Sequence, residues 1–72
     1  MKINNQAAVP TAEEVNVHVL EKIRERLLAY RHNSVPFVVA ARFVDYEKEH
    51  YSIGLHARIE SVFESVYRGW VQ

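Results

Sequence analysis

A chain of 72 residues holds one domain, and at that size the hydrophobic gain barely exceeds the entropy lost on ordering. No cysteine is present to supply a disulfide or a thiolate metal site, and 49% of the residues are apolar, so self-association is the staple left to such a chain. Nine basic residues balance nine acidic ones, which removes the overall field that draws proteins to nucleic acid or anionic membranes, and no apolar run nears the ~20 residues of a membrane span.

Residues 1 to 10, "MKINNQAAVP", carry a single lysine, no apolar segment and no periodicity. They read as a flexible amino-terminal arm rather than a signal peptide, which makes a cytoplasmic protein the expectation. Residues 11 to 72 read as a single helical domain.

The first element opens at Thr11, where Thr-Ala-Glu-Glu places Glu14 three residues on to complete a capping box. Val15, Val19, Ile23, Leu27 and Tyr30 then recur at helical spacing with Leu20 beside them, predicting a helix over 11 to 32 that Asn33, Ser34 and Pro36 end. Val17 and Leu28 lie off that stripe, where a second protomer could meet them.

From Ser34 to His50 two readings compete. "FVVAARFV" suits a buried strand, paired through "DYEKE" with "HYSIGLHARI". As a helix over 35 to 50, the segment takes Ser34 as its cap and Pro36 in its first turn. Phe37, Ala40, Ala41, Val44 and Tyr51 then share one face, with Arg42, Asp45 and Glu49 opposite. The helix is preferred because "DYEKEH" lacks the Gly, Asn or Pro of tight hairpin turns.

A third helix is predicted over 53 to 70, its apolar stripe formed by Leu55, Ile59, Val62, Phe63, Val66 and Trp70. Either Ser52 caps it with Gly54 in the first turn, or Gly54 kinks one long helix from Pro36 to Trp70. The fold class is therefore all-α: a small three-helix domain, or a helical hairpin with a long kinked second helix, completed by oligomerisation. The alternative is α+β in α-β-β-α order, with residues 37 to 44 and 51 to 58 as a hairpin.

Chemistry has few candidates. Glu14, His18, Glu21 and Glu25 share a helical face, yet the spacing is Glu-x-x-x-His with no second copy, unlike the Glu-x-x-His of di-iron bundles. His32 sits where a helix dipole would favour it, and no serine lies in a nucleophile elbow. Two glycines are too few for a phosphate-cradling loop. No catalytic residue, metal ligand or cofactor is expected.

The most suggestive polar arrangement is Arg58, Ser61, Ser65 and Arg68, which line one helical stripe with guanidinium groups at its ends. Such a stripe suits a small anion such as a nucleotide held between protomers, or an acidic partner surface. The plainer reading is a solvated face neutralised by Glu60 and Glu64. Tyr67 and Trp70 in "VYRGWVQ" have the character of interface anchors, and Tyr30, Tyr46 and Tyr51 with Arg31 and Arg42 add to them. Evenly mixed acidic and basic residues favour a protein partner over nucleic acid. The function expected is a non-enzymatic oligomeric interaction protein of adaptor or inhibitor type; the alternative is an oligomeric binder of a small anionic ligand.

Overall fold

The computed structural model describes residues 9–69. It is a three-helix arrangement of α1 (Ala12–His32), α2 (Phe37–Lys48) and α3 (Ile53–Tyr67), with no strand among the described residues. The all-α reading stands, and the α-β-β-α alternative and the single long kinked helix do not. Most of the arm, residues 1 to 8, and Trp70 lie outside the described residues.

α1 begins as its sequence dictates. The Thr11 hydroxyl accepts from the Glu14 amide at 3.1 Å, and the Glu14 carboxylate accepts from the Thr11 amide at 2.8 Å. Two of the free amides at the helix start are thereby satisfied reciprocally.

Its end is a correction. Ser34 does not cap α2; it stands at φ 60 in the left-handed region. The Ser34 amide donates to the Arg31 carbonyl at 3.0 Å and the Val35 amide to the Tyr30 carbonyl at 2.8 Å. These are the two bonds of a Schellman closure, with serine in the place glycine usually takes. Helix α2 consequently starts at Phe37, with Pro36 as an N-cap that has no side-chain bond to give.

The predicted 35 to 50 helix also stops short, at Lys48. There the His50 amide reaches the Glu47 carbonyl at 3.0 Å and the Tyr51 amide reaches the Lys48 carbonyl at 3.3 Å, tightening the chain into the turn that frees Ser52 to start α3. Thus "DYEKEH" finishes a helix rather than turning a hairpin, and Gly54 lies in the first turn of α3.

α3 is the element on which the other two pack. Six of its residues are buried (Leu55, Ile59, Val62, Phe63, Val66, Tyr67), against two in α1 (Ile23, Leu27) and two in α2 (Ala40, Val44), so its stripe faces both neighbours. Each large apolar side chain among them contributes about 1.5 to 3 kcal/mol of burial.

Polar ties at the helix ends set the directions. Arg58 of α3 grips Glu13 at the start of α1, and Arg31 at the end of α1 donates to the Val66 carbonyl, so α1 and α3 run in the same sense. α2 runs against them: Phe37 at its start meets the Phe63 ring at a tilt and the Tyr67 ring edge-on, and Lys48 at its end pairs with Glu60. The Arg31 contact places a cation on one of the last carbonyls of α3, where the helix dipole favours it.

Candidate functional site

Helix α2 is turned so that its small residues face inward. Ala40 and Val44 are buried, whereas Val38 and Tyr46 are each 57% exposed and Val39 is 45% exposed. At 3.6 residues per turn, Val38, Arg42, Asp45 and Glu49 fall within about 60° of one another on the side opposite Ala40 and Val44, with Val39 and Tyr46 flanking them. The outer face of α2 is therefore apolar at its start, bears a cation in its middle and is acidic towards its end.

Arg42 takes part in none of the salt bridges among the described residues. Asp45 reaches only Lys48, at 3.9 Å, while Lys48 itself is held by Glu60. The hydrogen bond to Glu60 raises the Lys48 ammonium above its ordinary value and keeps it on α3.

Two grooves flank α2. One, of about 240 Å³, opens between α1 and α2 over Val19, Ile23, Phe43 and Tyr51, with Lys22, Arg26 and Glu47 along its rim. Phe43 is its centre: the Tyr30 ring meets it edge-on at 5.3 Å and the Arg26 guanidinium lies 5.6 Å from its centroid. The other, of about 380 Å³, is floored by Phe37, Phe63 and Tyr67 and edged by Glu60, Glu64 and Arg68.

The candidate residues of α3 do not form one free stripe. Arg58 is engaged as a fork by Glu13, at 3.0 and 2.9 Å. That hydrogen bond holds the Glu13 carboxyl below its usual value and raises Arg58 in turn. Ser61 and Ser65 are exposed, and exposed Arg68 is the C-cap of α3, on the rim of the second groove with two glutamates for company. An anion at this stripe would have to displace Glu13 from Arg58 and lie near Glu64.

Tyr67, expected as an interface anchor, is 4% exposed, and its hydroxyl donates to the Val35 carbonyl at 3.1 Å, so it ties α3 to the α1–α2 connection within the chain. Burial raises its phenol above the ordinary value, against the opposing pull of Arg31. Trp70 lies outside the described residues.

The histidines are dispersed. His18 and His32 are exposed, a ring nitrogen of His50 meets the Tyr46 carbonyl at 2.9 Å, and one of His56 meets the Tyr51 carbonyl at 3.1 Å. Among the described residues no three His, Asp or Glu side chains converge as metal ligands would. No described helix is long and apolar enough to cross a membrane.

Helical spacing marked Arg42, Asp45 and Glu49 as a polar wedge but missed that Val38, Val39 and Tyr46 share their side of α2. The available signal was relative size: the face carrying Ala40, Ala41 and Val44 fits close to another helix, and larger apolar groups left elsewhere on α2 must then point outward. Compared with models of protein families, with curated proteins and with solved structures, the chain matches none.

Proposed function

We propose that the protein is a non-enzymatic helical interaction module that self-associates and acts by occupying a partner protein, as an adaptor or an inhibitor does. The observation that carries this reading is the orientation of α2, which buries Ala40 and Val44 and presents Val38, Val39 and Tyr46 to solvent. A helix in so small a domain could have spent its larger apolar groups on the core, where each is worth about 1.5 to 3 kcal/mol. Instead they stay in water beside Arg42, Asp45 and Glu49, while the groove between α1 and α2 has an aromatic floor at Phe43 and Tyr51. Exposed apolar area framed by charge is the character of a recognition surface.

Several features support the absence of catalysis from the same reading. Both grooves are open and edged by charged side chains, of which Glu60 is already held by Lys48, and two histidines direct a ring nitrogen to main-chain carbonyls. The anion-binding alternative has less to rest on, because its strongest cation, Arg58, already has a carboxylate.

Photo-crosslinking in the host tests the proposal. A photoreactive residue at position 38 or 51 should give discrete adducts, with another copy or with a second protein, while the same residue at the exposed position of Glu25 should not. If positions 38 and 51 label no more than position 25, the module does not work by contact through these surfaces.

A further inference from the structure

We infer that the outer face of α2 is a homodimer interface, in which two copies pair their α2 helices antiparallel about a twofold axis with Arg42 of each facing Asp45 of the other. The inference rests on the interaction reading above and names the occupant of one of its surfaces.

Charge decides both occupant and direction. The face carries one cation, Arg42, with the anion Asp45 three residues on and Glu49 at its far end; among the described residues neither Arg42 nor Asp45 is ion-paired beyond the 3.9 Å approach of Asp45 to Lys48. In a parallel pair Arg42 would confront Arg42 and Asp45 would confront Asp45. Reversing one helix about an axis midway between the two positions replaces both repulsions with two opposite-charge contacts, the self-complementarity an isologous interface requires. An arginine–carboxylate pair there can be forked, as the Arg58–Glu13 pair of this chain already is.

The apolar residues fall into place in the same register. Setting Arg42 opposite Asp45 sets Val38 opposite the methylenes of Glu49. A twofold axis perpendicular to the helix pair keeps the Val39 and Tyr46 flanks of both copies on one side, where each Tyr46 ring covers the Val39 of the other copy. A 12-residue helix can bury about 400 Å² per copy in this way, roughly 800 Å² in total, which belongs to weak and transient assemblies. The dimer should accordingly form and dissolve with concentration.

Sedimentation equilibrium on the purified chain, from micromolar to millimolar concentration and at low and high salt, tests this. The wild type should dimerise with a dissociation constant between about 10 μM and 1 mM, weakening as salt rises. Arg42→Asp and Asp45→Arg should each weaken the dimer about tenfold or more, since each creates two like-charge contacts. The double variant Arg42→Asp with Asp45→Arg should recover the wild-type constant to within about threefold. Both positions of substitution are exposed, and circular dichroism checks that the helices persist.

Recovery in the double variant supports the antiparallel α2 pair. A dimer indifferent to the single reversals, or not restored by the double one, overturns it while leaving self-association through another face. A chain that stays monomeric at 1 mM also overturns it; adducts of position 38 with a different protein would then keep the interaction reading and give the face to that protein. Only the absence of adducts at both 38 and 51 would sink the broader reading as well.

Discussion

Replacing Ser34 by glycine should stabilise the protein, a sign that depends on which helix Ser34 serves. As the N-cap of α2 it would lose its hydroxyl: glycine would cost a few tenths of a kcal/mol and alanine about 1 kcal/mol. The structure instead places Ser34 at φ 60, closing α1 through the bonds of its own amide to Arg31 and of the Val35 amide to Tyr30. A residue with a β-carbon strains there by about 1 to 2 kcal/mol, which glycine releases. Against that gain stands about 0.4 to 1 kcal/mol for the greater freedom of glycine in the unfolded chain. The net is a stabilisation of about 0.5 kcal/mol, or roughly 2 to 4 °C in Tm for a domain of this size.

Alanine at the same position keeps the β-carbon and should leave stability within a few tenths of a kcal/mol of wild type. The measurement is urea unfolding followed by helical circular dichroism, on wild type, Ser34→Gly and Ser34→Ala at one low protein concentration, because self-association would shift the midpoints. A loss near 1 kcal/mol in Ser34→Ala together with any loss in Ser34→Gly would refute the left-handed closure and return Ser34 to the start of α2.

Ile59 is fully buried at the centre of α3, and Ile59→Ala should cost about 2 to 5 kcal/mol. That is a large share of the roughly 4 to 11 kcal/mol that 72 residues typically command, so its thermal transition should fall steeply or broaden. Ile53→Ala, at 84% exposure, should change stability by less than about 0.5 kcal/mol, and comparable losses in the two variants would contradict the core assignment. Tyr67→Phe removes the hydroxyl bond to the Val35 carbonyl and should cost about 1 kcal/mol at neutral pH. Because burial raises the folded-state pKa of Tyr67, its contribution is complete below the unfolded value near 10 and is lost as pH rises towards the folded one. Wild type should therefore lose stability more steeply than Tyr67→Phe between pH 9 and pH 11, an interval in which raised Lys48 acts alike in both chains. Equal slopes in urea unfolding across that interval would show that the phenol is not held in its protonated form by the fold.

Much of the fold was legible along the chain because its cues are local. Thr11 and Glu14 lie three residues apart and cap α1 whatever surrounds them. The stripe of Leu55, Ile59, Val62, Phe63 and Val66 recurs at helical spacing and is buried throughout. The missing turn residues in "DYEKEH" were enough to favour a helix over a hairpin. Less legible were the ends of α2, since Ser34 is equally suited to capping one helix and closing the previous one, and only the backbone φ distinguishes these roles.

Tertiary structure decided what the candidate residues do. Periodicity puts Arg58, Ser61, Ser65 and Arg68 on one side of α3, but Glu13, 45 residues away, takes Arg58, and no local pattern records so distant a partner. Tyr67 looked like an anchor for another protein until the α1–α2 connection supplied the Val35 carbonyl and buried the ring. The sequence by itself determined helices, their apolar stripes and the first cap, because those depend on neighbours within four residues. Which apolar groups stay in water depended on how closely α2 approaches α3. That approach is set by the small size of Ala40 and Val44, and it leaves Val38, Val39 and Tyr46 facing outward.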